Sequence, residues 1–176
     1  TVAVNLGRGV ALSSCTVIIS GFTISGLIQG ADANNAVKLS ILNCNFVGNS
    51  SASSAIASFN GSVVLVYGSI GISGTFSSVF DTAQSGVMSV GYQDPATTLA
   101  VTVTFGTTSV ASAVAFSTAG ATLAFASSVC TFAGSTPTGQ RFSASIGGGV
   151  NVQGGGASFI PGTVAGTATS PGWFAP

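Results

Sequence analysis

Phe22, Phe46, Ile70, Tyr92 and Phe116 follow one another along this chain at intervals of 24, 24, 22 and 24 residues. The motif GFTISG at residues 21–26 is echoed by SIGISG at 69–74, two such intervals later. A period of that length suits one coil of a parallel β-solenoid. In that architecture each coil gives short strands to successive faces and equivalent apolar side chains stack inside in ladders. No coil buries its inner face alone, so the coils must stack.

The local texture agrees with strands. Runs rich in Val, Ile, Thr and Phe recur between Gly, Ser and Asn: TVIIS, FTIS, VKLSIL, NCNFV, SVVLVY, TLAVTVTF, AVAFS and TLAFA. Helical periodicity is poor, and the longest helix-compatible stretch, SSASSAIASF, carries too many serines to hold a helix without strong packing. The chain reads as all-β. Cys44 with Phe46, and Cys130 with Phe132, stand at strand spacing and are expected to point inward, with Asn43, Asn45 and Thr131 outward. A β-sandwich with a turn about every 8 to 12 residues fits the same punctuation.

Charge narrows the function classes. The 176 residues hold three basic and three acidic side chains and no His, for a formal net charge of zero. There is no basic block to bind nucleic acid or an anionic membrane. A spanning helix needs about 20 consecutive apolar residues, whereas Ser, Thr, Gly or Asn interrupt every apolar run here. A small transmembrane barrel would need aromatic girdles. The three cysteines, Cys15, Cys44 and Cys130, lack CxxC spacing and a His partner. That excludes a zinc site or a complete disulfide framework and suits buried thiols in a protein assembled in a reducing cytoplasm. No cofactor is implied. A chain opening on TVAVNLG with no initiating Met looks like a processed product or part of a longer polypeptide.

From about Ser135 the texture changes. STPTGQ is a turn-rich boundary, so residues 1–136 read as a solenoid shaft and 137–176 as a glycine-rich C-terminal segment. RFSASI and VNV are strand-like, and Gly147, Gly148 and Gly149 between them suit the positive φ angles of a tight β-hairpin. Gly154, Gly155 and Gly156 permit close backbone approach, as at a crowded threefold axis. FIPG, with Pro161, and SPGWFAP then stop the sheet.

Residues 138–166, TGQRFSASIGGGVNVQGGGASFIPGTVAG, resemble the C-terminal segment of tail fibre and tailspike-like proteins of tailed bacteriophages. There a Gly-x-Arg-aromatic-Ser start, a Gly-turn hairpin and a GGGA-x-x-x-PG motif close the chain. The likeness covers roughly the last quarter, and LSILNCNFVGNS is similar in style to the β-helical shafts before such ends. Family members usually place Asn-Gly in the hairpin where this chain has a glycine triplet. The resemblance implies an elongated, intertwined homotrimer in the virion tail. It would be assembled in the host cytoplasm, joined to other tail proteins, and would engage a bacterial surface polysaccharide or other receptor outside the cell. A neutral surface rich in Ser, Thr, Asn and Gly could hydrogen-bond sugars on its own account.

Many phage spikes also cut the glycan they hold. Glycoside hydrolysis generally needs two carboxyl groups about 5 to 10 Å apart, one with a raised pKa. Asp32, Asp81 and Asp94 are the only candidates. Asp81 and Asp94 could meet across a fold, but Asp94 before Pro95 reads first as a turn residue, and GADANN around Asp32 reads as a loop. The expectation is therefore attachment without catalysis, with Asp81 and Asp94 as the pair for a degrading alternative and a bacterial solenoid adhesin as another. In the tail, Asn151 and Gln153, alternating on VNVQ, are candidate receptor contacts, and Trp173 and Phe174 either stack on a sugar ring as further contacts or, the favoured role, anchor the tail against a neighbouring chain. Arg141 is expected to donate to carbonyls at the shaft-to-tip junction. An ice-binding solenoid would need Thr ranks at coil spacing, and TVT at 102–104 does not recur at that interval.

Overall fold

The computed structural model describes residues 16–25, 29–33, 38–49, 51 and 54–176. Expectations placed on Cys15 and on the chain's opening residues lie outside these. In chain order the strands are β1 (Thr16–Ser20), β2 (Thr23–Ser25), β3 (Gln29–Ala33), β4 (Lys38–Leu42), β5 (Asn45–Asn49), β6 (Ser54–Ser58), β7 (Val63–Thr82), β8 (Val87–Val90) and β9 (Tyr92–Gln93). They continue with β10 (Thr98–Leu99), β11 (Val101–Ser117), β12 (Thr122–Phe125), β13 (Cys130–Gly134), β14 (Phe142–Ala144), β15 (Gly149–Asn151), β16 (Thr167–Ala168) and β17 (Trp173–Ala175). The chain is all-β, and its parallel strands stack as a β-solenoid of about six turns. The pairing is parallel throughout the solenoid, which a sandwich of hairpins would not give.

Three faces stack along the solenoid, faces 1 and 3 into the last coil and face 2 as far as β13. Face 1 stacks β1, β4, the start of β7, β8, β12, β15 and β17. Face 2 stacks β2, β5, the middle of β7, the start of β11 and β13. Face 3 stacks β3, β6 and the ends of β7 and β11 with β14 and β16. On face 1 the backbone of Thr16, Lys38, Val63, Val87, Thr122, Gly149 and Trp173 forms one column, giving coils of 22, 25, 24, 35, 27 and 24 residues. The long coil contains an antiparallel hairpin, β9 with β10, inserted between faces 1 and 2.

The period expected from the sequence is thus close, but the ladder built on it is out of register. Phe46 pairs with Ile24 and Ile72, two residues on from Phe22 and Ile70. Phe22 and Tyr92 are 40% and 37% exposed, and Phe116 pairs with Asp81. The echo of residues 21–26 in 69–74 keeps its register, because Ile24, Phe46 and Ile72 stack. Both inward pairs are found: Cys44, Phe46 and Cys130 are buried and Phe132 packs against the core, with Asn43, Asn45 and Thr131 exposed.

The core is a stack of side chains one coil apart. Leu39, Val64, Met88, Leu123 and Val150 line the inside of face 1. From face 3 Phe80 meets Phe125 edge-on at 5.5 Å between ring centres, and Phe125 in turn meets Phe132 of face 2 at 5.8 Å. Rings of this kind contribute area and a preferred geometry together, so they tie the three faces to one another.

The corner from face 3 to face 1 repeats. Its β-turns close through the N–H groups of Ser62, Gly86, Ala121, Gly148 and Gly172, each bonded to the carbonyl three residues earlier. In the first four the two central residues both have positive φ: Asn60 and Gly61, Gln84 and Ser85, Ala119 and Gly120, Ile146 and Gly147. This is type I′ geometry, which usually joins hairpin strands. Here the turns also stack: Gly61, Ser85 and Gly120 each donate to the next coil's turn. Just inside the corner, buried Ser58 and Ser117 donate to the carbonyls of Ser62 and Ala121, and Thr82 donates to Ser117.

This corner also corrects the expected hairpin. Gly147 has the positive φ foreseen, but β14 pairs with β11 and β16, and β15 with β12 and β17, all parallel. The ladder passes residue 137 without a break. Phe142, Ala144, Val150, Val152 and Ile160 are buried within this one chain.

Candidate functional site

Face 2 alternates strictly. Ile24, Phe46, Ile72 and Phe105 stack on its inner side, so the residues between them must face outward. The outward column is Thr23, Asn45, Gly71 and Thr104. Beside it lie Val47, Ser69, Ser73 and Gly106, and together these residues line an open trough of about 440 Å³.

Its depth comes from Gly71 and Gly106, which carry no side chain into it. A Cβ on Gly71 would collide with Asn45 Oδ1, so the Asn45 carboxamide reaches over that floor. One lip is fixed by the neighbouring corner, where Asn43, at φ 52°, accepts the Ser69 N–H through Oδ1 at 2.9 Å. Among the described residues the side chains of Thr23, Asn45, Ser73 and Thr104 make no hydrogen bond within the chain. Their hydroxyl and amide groups are donors and acceptors held at fixed spacing by the ladder. Among the described residues no ionisable side chain lines the trough.

The carboxylates of Asp81 and Asp94 sit elsewhere and apart. Asp81 is on face 3, next to Phe116 in register, and accepts the Ser54 hydroxyl at 2.7 Å. Asp94 is in the inserted hairpin, where it accepts the Tyr92 hydroxyl at 2.8 Å and the N–H groups of Ala96 and Thr97 at 2.8 and 2.6 Å. The Tyr92 bond first, then the two backbone donors, hold its pKa below 3.8. A general acid in glycoside hydrolysis needs the opposite shift. Tyr92 is correspondingly raised by its bond to Asp94 and by that charge. Asp32 lies on β3, its backbone paired with Ala57. Burial pushes the Cys130 thiol up to about 12, far from thiolate chemistry at neutral pH. Among the described residues no three His, Cys, Asp or Glu side chains group as metal ligands, and no helix is long and apolar enough to cross a membrane.

The residues singled out in the tail lie in the last coils, away from the trough. Asn151 ends β15, and its Oδ1 accepts the N–H of Gln153 at 2.8 Å; Gln153 lies beyond the strand with φ 45°. The two therefore form a local turn instead of alternating on one strand face. Trp173 faces outward, 41% exposed, with its indole across Gly149, where a Cβ would collide with the ring. Phe174 stacks on Phe142 at 4.1 Å. Arg141 donates to the Gly162 carbonyl at 3.3 Å and to Ser158 at 3.4 Å, clamping the loop that follows β15. In that loop Gly154 and Gly156 have positive φ, Gly155 lies under the Phe159 ring, and half-buried Pro161 follows buried Ile160. Gly148 packs against the backbone of Ser117 and Thr118 one coil away.

Sequence reasoning placed Asn45 outward and aligned Thr23 with Gly71 through the echoed motif, but did not join them to Thr104. No protein-family model, curated protein or solved structure matches this chain.

Proposed function

We propose that this chain is a rigid, non-catalytic segment of a phage tail fibre or tailspike, which attaches the virion to its host by holding a neutral surface glycan in the trough of face 2. The observation that carries the reading is the trough itself: hydroxyl and amide groups with no partner among the described residues, no charge, and a floor of glycine on a continuous ladder. Sugars are bound through such fixed polar groups around an open surface, and a preorganised frame lowers the cost of ordering them. The virion setting is supported by the likeness of residues 138–166 to phage fibre ends and by the solenoid rod. Homotrimerisation belongs to the same proposal. Because the last coils bury Phe142, Val150 and Ile160 within the chain and leave Ile146, Val164 and Trp173 exposed, such a trimer would form through outer surfaces.

A glycan microarray probed with the labelled protein, followed by a reducing-end assay on every glycan it retains, tests the reading. Retention of neutral bacterial glycans with no new reducing ends is expected. Retention of none, or cleavage of those retained, would overturn it. Light scattering tests the assembly: a mass near three times 17.0 kDa supports the trimer and a monomer opposes it.

A further inference from the structure

The trough has an apolar corner that a plain hexose would not use. Val47 is 40% exposed on an outward row whose other members are Ser, Thr, Asn and Gly. It stands two residues from Asn45 on β5, so the two side chains leave the same side of the strand roughly 7 Å apart. Across the ladder Asn45 faces Gly71 and Val47 faces Ser73. The result is a four-residue patch with a carboxamide lying over a glycine at one cross-strand pair, and methyl groups beside a hydroxyl at the next.

We propose that this patch selects an N-acetylated amino sugar. An acetamido group has one N–H donor, one carbonyl acceptor and one methyl group in a plane. The Asn45 carboxamide offers an acceptor and a donor to the first two. The Val47 methyl groups receive the third, and the open face of the trough admits the planar group beside the Asn45 carboxamide that covers Gly71. The Ser73 hydroxyl remains for a ring hydroxyl. A hexose with a hydroxyl in place of the acetamido group would leave Val47 against a polar atom and Asn45 half satisfied. Burying one methyl and gaining one hydrogen bond corresponds to a preference of about tenfold or more. The neutrality of the trough fits a neutral amino sugar and offers nothing to an acidic one.

This inference rests on the glycan-binding reading, and one pair of ligands separates the two. Titration calorimetry with the β-1,4-linked tetramers of N-acetylglucosamine and of glucose compares the same backbone with and without acetamido groups. The N-acetylated tetramer is expected to bind about tenfold or more tighter. Val47→Ser, on the outer surface, should reduce that ratio to about twofold or less while leaving the melting temperature unchanged. Equal affinities for the two tetramers, or a ratio untouched by Val47→Ser, would overturn the selection and leave glycan binding standing. Binding of neither would overturn both.

Discussion

The corner between faces 3 and 1 and the outer side of face 2 are built from the same small residues, yet they obey opposite rules. At the corner nearly every atom is committed. Two αL residues close four of the five turns, a buried hydroxyl takes the next carbonyl at two of the corners, and three of the turns donate to the next. On face 2 the trough's small residues leave room, and the hydroxyls of Thr23, Ser73 and Thr104 have no partner among the described residues. Glycine shows the contrast best. Gly148 lies where a Cβ would come within 2.5 Å of the Ser117 carbonyl, immovable backbone, whereas a Cβ on Gly71 meets only the tip of the Asn45 side chain. On the proposed reading, the solenoid separates its scaffold from its recognition surface by placing them on different edges of the same coil.

The comparison can be broken at several strengths. Phe80 is fully buried and ties face 3 to face 1 through Phe125, so Phe80→Ala should cost about 3–5 kcal/mol in urea unfolding. A loss below about 1 kcal/mol would mean that the faces are not held by this stack. Gly148→Ala should cost about 1–3 kcal/mol, since the coil above must shift to admit the methyl group; thermal melting at neutral pH reads it. Ser117→Ala removes its bonds to the Ala121 carbonyl and from the Thr82 hydroxyl, but these keep the Gly149 N–H and the Phe116 carbonyl as partners, so about 0.5–1.5 kcal/mol of destabilisation is expected in the same assay.

The smallest effect belongs to the inserted hairpin. Asp94 is held below its ordinary value of 3.8 by Tyr92 and two backbone donors. A depressed carboxylate pKa means that its contribution is present above that value and is lost as pH falls through the lower folded one. A titration of Asp94 by carboxyl carbon chemical shift should therefore have its midpoint below 3.8, with the Tyr92 ring signals moving in step. A midpoint at or above 3.8 would remove the Tyr92–Asp94 bond from the account. Because the group is solvent-exposed, global melting at neutral pH should barely change in Asp94→Asn.

Much of the scaffold was legible in the sequence and much of the site was not, for a common reason. Alternation is local, so Cys44 with Phe46 and Cys130 with Phe132 announce their inward faces on their own. Register is not local. The ladder drawn from Phe22 to Phe116 assumes equal coils, but the β9–β10 hairpin lengthens one coil to 35 residues between Val87 and Thr122. Likewise the Gly147 turn has the backbone angles of a hairpin. Whether its strands pair with each other or with the coils above and below depends on residues far along the chain. The trough suffers most from this. Thr23, Asn45, Gly71 and Thr104 come from four different coils and none is unusual alone, whereas Trp173, Phe174 and the glycine triplets draw the eye through composition.

The central claim is that face 2 can be altered without touching the fold, and that binding goes with it. Gly71→Val tests both halves at once, because it fills the middle of the trough with a good strand former against only a movable side-chain tip. Melting temperature and retention on the glycan array should be measured on the same preparation. The account predicts a stability change within about 0.5 kcal/mol and loss of glycan retention. Retention at the wild-type level in a folded Gly71→Val protein would contradict it.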